Sequence, residues 1–321
     1  MKLNILCIGD IVGRPGRRIV AEKLKSLVRE LGIDCVIANA ENAAGGSGLT
    51  PQIYDKLLRY GVNLVTLGDH TYRKRDIIKT LETAENIVRP ANFSEHAAGR
   101  GFAVYKTGKG STVAVVALIG RLFMKPADCP YNAIDKILPQ LEQKADVIIV
   151  DFHAEATSEK IAMGYHLDGR VSLCFGTHTH VVTADERILS KGTAYITDIG
   201  MTGAHDSVLG RGTENVLKSF RTQLPFPFEI ATGDVKMNAI LVSVDSNTKK
   251  AERIERVRIN ADWEDSRRYD SDDGKPEYFS NNFGLRIAYI ILRIRLTEAD
   301  LSVSYCVLHR LSRTDTDLNT N

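Results

Sequence analysis

Short, continuous apolar runs alternate along the chain with longer stretches of helical period. LNILCIG opens the chain, residues 16–31 read as a helix, and DCVIANA follows. Residues 51–60 read as a second helix, NLVTLG as a third strand, and the charged stretch after Tyr72 as a further helix. FAVYK, TVAVVAL, ADVIIVDF, VSLCFG and TAYITDI continue the strands, with helical runs over residues 132–144 and after His153. Val- and Ile-rich runs without polar alternation are what a sheet covered on both faces requires. The predicted architecture is α/β, with helices outside the strands. From residue 236 to 260 the pattern changes to alternation: MNAILVSVD and ERIERVRIN flank a turn-like SNTKK and predict a closing hairpin.

Beyond Trp263 the composition shifts. EDSRRYDSDDGKPEYFSNN is polar and linker-like, and FGLRIAYIILRIRL mixes arginines with apolar residues in neither a strand nor a helix period. The expected division is a main α/β domain over residues 1–264, and a linker with a C-terminal appendage over 265–321. No internal repeat is present.

Polar residues fall at the ends of the strand runs, where α/β sheets place their binding and catalytic loops. The first run ends in Gly9-Asp10, the second in Glu41-Asn42, and the third in Gly68-Asp69-His70. VIIVDF ends in His153, and VSLCFG in Gly176-Thr177-His178-Thr179-His180. Singly these are ordinary: an Asp at a strand end can cap a helix, and Asn42 before AAGGSG fits a turn. Two histidines at i and i+2 after an apolar run, however, have little packing rationale. Imidazole and carboxylate together suit Mn, Fe or Zn, and the inventory suffices for two ions. Two ions about 3.5–4 Å apart can hold a hydroxide and clamp a phosphoryl group. A nearby uncoordinated histidine could then protonate the leaving oxygen.

Composition narrows the partners. The chain has 321 residues, a net charge of +2 and 43% hydrophobic residues. That balance makes no case for coating nucleic acid or a membrane surface, and no basic-aromatic patch suggests sequence-specific nucleic-acid binding. A small phosphorylated substrate needs only local positive charge. No apolar run approaches the roughly 18 residues of a membrane span, and no leader pattern opens the chain. Cys7, Cys35, Cys129, Cys174 and Cys306 form no CxxC pair and read as reduced thiols of a cytoplasmic protein. A homo-oligomer is compatible with all of this.

The order of these segments resembles calcineurin-like metallophosphoesterases, and more closely their bacterial YmdB-like branch of cyclic-nucleotide phosphodiesterases. GDIVGRPGR, ANAENAAGGSGLTP, TLGDHTY, RPANF, DFHAEATSEKIAMGYHLDGRVS, GTHTHV and YITDIGMTG bear the likeness, which runs from Met1 to about Trp263. The resemblance implies a two-sheet β-sandwich flanked by helices, in α/β/β/α layers. It implies that Asp10 and His180, with Asn42, hold one metal, that Glu41 bridges both, and that Asp69, His153 and His178 hold the second. His70 is implied as the catalytic proton donor, iron or manganese as the metals, and 2′,3′- or 3′,5′-cyclic nucleotides as substrates. Two alternatives remain: a phosphomonoesterase or nucleotidase with the same centre, and a weakened, nucleotide-sensing regulator. The latter arises because the family has Asn where this chain has Asp69, adding negative charge where a phosphate approaches.

Other residues carry less. Gly13, Gly16, Gly45, Gly46 and Gly48 match no phosphate-loop pattern and read as turn glycines. Arg14, Arg17 and Arg18 are candidates for substrate phosphate or for a solvated helix start. His166 reads as structural, and His205 as a candidate lining of the substrate mouth.

Overall fold

The first run becomes β1 (Lys2–Ile8), and its two faces explain its unbroken apolar character. Leu3, Ile5 and Cys7 point into a core between two sheets, whereas Leu6 and Ile8 join a core under helices. The computed structural model describes residues 1–263. The expected appendage over 265–321 and Cys306 lie outside them.

After β1 come β2 (Asp10–Ile11), α1 (Gly13–Glu30), β3 (Cys35–Asn39), α2 (Pro51–Tyr60), β4 (Leu64–Thr66), α3 (Ile77–Thr83) and β5 (Ile87–Val88). Then follow β6 (Phe102–Lys106), β7 (Thr112–Ile119), α4 (Pro130–Glu142), β8 (Val147–His153), α5 (Thr157–Leu167) and β9 (Leu173–Thr177). The last are β10 (Arg187–Ile188), β11 (Ala194–Ile196), β12 (Met201–Ala204), α6 (Thr213–Thr222), β13 (Val235–Asp245) and β14 (Lys250–Asn260). One sheet has the order β2-β12-β13-β1-β3-β4-β5, with β14 paired to β13; the other runs β10-β11-β9-β8-β7-β6. The expected hairpin is β13–β14, antiparallel with a register shift between Ser243 and Val244.

Three cores separate four layers. α1, α2 and α3 cover the outer face of the first sheet through Ile19, Leu24, Ile53, Leu57, Ile77 and Leu81. Ile37, Val115, Ile149, Phe175 and Ile240 fill the space between the sheets. α4 and α5 cover the second sheet through Ile134, Leu138, Met163 and Leu167. This is the α/β/β/α sandwich that the resemblance implied.

Local chemistry sets the helix ends. In α2, Thr50 accepts a hydrogen bond from the Ile53 amide at 3.3 Å, Pro51 begins the helix, and Gly61 ends it at φ 113°. α1 and α4 begin earlier than the periodicity predicts, each with a proline in its first turn, where no helical donor is lost. The short β2, β5, β10 and β12 and the helix α6 were not expected. α6 buries Val216 and Ser219 and leaves Leu217 and Phe220 exposed. No helix of the described residues is long and apolar enough to cross a membrane.

Candidate metal centre

β1, β3 and β4 run parallel, as do β8 and β9. Their C-terminal ends therefore share one edge of the sandwich. Asp10, Glu41, Asn42, Asp69, His70, His153, His178 and His180 all leave from that edge, and the structure brings them together. The carboxylates of Glu41 and Asp69 and the rings of His153 and His178 each place one ligand atom within 4.8 Å of the others. His153 Nε2 lies 3.2 Å from Glu41 Oε1, 3.3 Å from Asp69 Oδ1 and 3.0 Å from His178 Nδ1.

The other half adjoins it. His180 Nε2 lies 3.9 Å from Asp10 Oδ1, and Asp10 Oδ2 accepts from the His178 amide at 3.2 Å. Asn42 stands between the halves, its Nδ2 3.2 Å from Glu41 Oε1 and 3.1 Å from His180 Nε2. Its oxygen accepts from His70 Nδ1 at 2.7 Å, so as placed it faces His70 rather than His180. The His70 amide donates to Glu41 Oε2 at 3.0 Å, which leaves Glu41 central to the whole group.

Buried polar contacts fix the ring tautomers. Asp151 accepts from Thr66, Asn39 and Thr177, the last at 2.7 Å. With its hydrogen spent on Asp151, Thr177 Oγ1 accepts from His153 Nδ1 at 2.9 Å, which turns Nε2 toward the cluster. His178 Nε2 is 3.1 Å from Glu155, and His180 Nδ1 donates to the Leu209 carbonyl at 3.1 Å. Each leaves its other nitrogen facing inward. Backbone fit matters too: a Cβ on Gly68 would strike the His153 ring and the Glu41 carboxylate.

These residues fit cations. Asp10 Oδ1 is buried without a hydrogen-bond partner, which is costly unless a cation satisfies it. Burial first, then Asp198 and Glu41 against the opposing pull of His153, push the Asp10 carboxyl up to about 8. Burial alone would lower the His153 pKa, but Glu41 and Asp69 raise it well above the ordinary value. The group thus draws positive charge to the point where its ligand atoms converge. The mixed imidazole and carboxylate donor set suits Mn, Fe or Zn.

The structure corrects two expectations for the arginines. Arg17 is buried and donates to the Ala43 carbonyl, bracing the loop that bears Glu41 and Asn42. Arg18 stacks 3.8 Å over the Trp263 ring and pairs with Glu22 at 2.8 Å. Gly46 sits at φ 82°, and a Cβ there would meet the Arg211 guanidinium, which donates to the Gly45 and Gly46 carbonyls. His166 bridges α5 to Asp135 of α4 at 2.9 Å.

Lys160 and Asp198 escaped sequence reasoning. Both are buried and paired at 2.6 Å. Asp198 Oδ2 also accepts from the Thr179 amide and hydroxyl, at 3.2 and 2.8 Å. Thr179 lies between His178 and His180, which hold the left-handed φ values of 98° and 65° that non-glycine residues rarely adopt. The buried pair thus clamps a strained loop that aims two histidines inward. Lys160→Met strands the Asp198 charge, and urea unfolding should show a loss of about 3–5 kcal/mol. A loss under about 1 kcal/mol would refute the clamp.

Comparison with known proteins identifies the family. A family model described as "YmdB-like protein" matches residues 6–257. The chain is 46% identical over 260 residues to the "2′,3′-cyclic-nucleotide 2′-phosphodiesterase" of Bacillus subtilis, covering 81% of this chain and 98% of that protein. A putative phosphatase/phosphodiesterase of Mycoplasma pneumoniae is 36% identical over 285 residues, covering 87% and 98%. Among solved structures, a hypothetical protein from Thermus thermophilus superposes with a TM-score of 0.75 at 41% identity, covering 80% and 99%. A novel phosphatase from Mycoplasma pneumoniae superposes with a TM-score of 0.76 at 36% identity, covering 84% and 98%. Shared sequence and fold across almost the whole described length place the chain in the YmdB-like family.

Proposed function

We propose that the chain is a dinuclear-metal-dependent phosphodiesterase that hydrolyses cyclic nucleotides, 2′,3′-cyclic forms foremost. The convergence of Glu41, Asp69, His153 and His178 within one ligating distance is the observation that carries this reading. The substrate follows the name of the Bacillus subtilis relative. In this reading Asp10 and His180, with Asn42 beside them, would hold one ion, and Asp69, His153 and His178 would hold the other. Glu41 lies between the two. Iron or manganese is proposed, with zinc as the other candidate. When bound, such a pair supplies Lewis acidity and a water acidic enough to ionise near neutral pH.

The remaining chemistry belongs to His70. Its Nδ1 is spent on Asn42, which leaves Nε2 to hold and deliver a proton. In the metal-free protein, burial opposes the charged ring but Glu41 and Asp69 outweigh it. As the water oxygen bonds to phosphorus and the bond from phosphorus to the 2′ oxygen breaks, His70 gives that oxygen its proton. The product keeps its phosphate on the 3′ oxygen.

Purified protein loaded with Mn²⁺ should cleave 2′,3′-cyclic AMP and bis-p-nitrophenyl phosphate well and p-nitrophenyl phosphate poorly. Preference for the monoester would instead favour the phosphatase reading. Asp69 tempers the expected rate. Its carboxylate lies 3.6 Å from both His178 Nδ1 and His70 Nε2, in the path of an incoming phosphate. Asp69→Asn should raise kcat/KM about tenfold, or about 1.4 kcal/mol, with metal content retained. Lost metal or unchanged turnover would refute this. A protein that binds cyclic nucleotide without turnover until Asp69→Asn restores it would be a sensor.

The catalytic unit is proposed to be residues 1–264, acting in the cytoplasm, where thiols such as the buried Cys7, Cys35 and Cys174 stay reduced. Removing residues 265–321 should then leave metal content and kcat within about twofold, and a collapse of either would refute that boundary.

A further inference from the structure

We propose that a cavity of about 750 Å³ running from His180 to His205 and Arg258 is the subsite for the nucleoside of the substrate, with His205 setting specificity. This rests on the phosphodiesterase reading above. A larger cavity of about 1120 Å³ between Arg89 and Lys136, and a smaller one of about 360 Å³ beside Lys191, have no residue of the metal cluster in their walls. The His180 cavity has one, His180 itself, so whatever fills it adjoins the metal cluster at that residue. Its size falls within the roughly 300–1,000 Å³ typical of small-molecule sites.

The walls suit a base and its sugar. Val182, Met201 and Leu209 supply apolar surface, and Arg258 of β14 supplies a guanidinium plane of the kind on which bases stack. Val181 and Leu209, both in the wall, are 58% and 49% exposed and so accessible to a ligand. Leu209 also holds a left-handed φ of 53°, which non-glycine residues rarely adopt. Its carbonyl anchors the His180 ring at 3.1 Å. One strained residue thus aims a ligating histidine and overhangs the cavity.

His205 forms a preset polar edge. Asn238 Nδ2 donates to the Met201 carbonyl at 2.8 Å, which settles the orientation of that amide. The same nitrogen lies 3.2 Å from His205 Nε2, which fixes the place of the ring at the cavity wall. A ring held this way discriminates among base and sugar groups by hydrogen bonding, where unmatched polar partners weigh most.

The test compares two substrates of Mn²⁺-loaded protein: 2′,3′-cyclic AMP, which has a nucleoside, and bis-p-nitrophenyl phosphate, which has none. His205→Ala and, separately, Arg258→Ala should lower the ratio of their kcat/KM values about tenfold, chiefly through KM for the nucleotide. Calorimetric titration with adenosine 3′-monophosphate should show a matching tenfold weaker Kd. An unchanged ratio and Kd in both variants would overturn the subsite while leaving the enzymatic reading intact. Failure of the wild type to turn over any cyclic nucleotide would overturn both.

Discussion

His70→Ala lowers kcat for 2′,3′-cyclic AMP by about 10²–10⁴-fold, the range for removing a positioned general acid, and leaves the metal content of the protein in place. The second half of that expectation follows from the geometry. His70 contacts Asn42, Glu41 and Asp69 from the rim, and its Nδ1 is already engaged by the Asn42 oxygen at 2.7 Å. The role can be separated from simple loss of packing by the leaving group. A nucleoside oxygen needs a proton to depart, whereas p-nitrophenolate is stable without one. The variant should therefore lose far more activity on the cyclic nucleotide than on bis-p-nitrophenyl phosphate. Equal losses on both would mean that His70 positions the site and does not deliver a proton.

A larger effect is expected at Glu41. This buried carboxylate meets His153, Asn42 and the His70 amide. Burial alone would raise its pKa, but His153 and His70 hold it well below the usual carboxylate range, so it is ionised and available to a cation. Glu41→Gln removes the one charge common to both halves of the site. Metal content should fall below one equivalent per chain, and turnover of every phosphodiester should drop below about 10⁻³ of the wild type. A second measurement excludes misfolding as the cause. Ligands that bind only the folded state stabilise it by about 4 kcal/mol at a thousandfold excess over Kd. Added Mn²⁺ should therefore raise the Tm of the wild type and not that of Glu41→Gln, while both unfold cooperatively. A metal-dependent rise of equal size in the variant would remove Glu41 from the centre.

What the sequence made legible follows from the physics of this fold. β1, β3, β4, β8 and β9 are buried almost throughout, so they read as apolar runs, and the polar residues at their C-terminal ends mark one edge of the sandwich. Asp10, Glu41, Asn42, Asp69, His70, His153, His178 and His180 were visible for that reason, and the structure gathers all eight. Side chains that act from beneath the site gave no such signal. Lys160 sits in a helix where a lysine ordinarily reads as solvated, and only the fold reveals Asp198 opposite it. Asp151 is hidden inside β8, where a buried carboxylate makes sense only once Thr66, Asn39 and Thr177 are seen around it. Arg17 reads from sequence as a phosphate contact or a solvated helix start, because its burial against Ala43 depends on a loop 26 residues away. The cavity at His205 joins segments far apart in the chain, from β12, β14 and the loop after β9, so no local pattern could disclose it.

The most direct test of the central claim is an anomalous-difference map from crystals of the protein loaded with Mn²⁺. The account predicts two peaks about 3.5–4 Å apart, with Glu41 between them, Asp10 and His180 beside one, and Asp69, His153 and His178 beside the other. A single peak, or peaks away from these side chains, would contradict it.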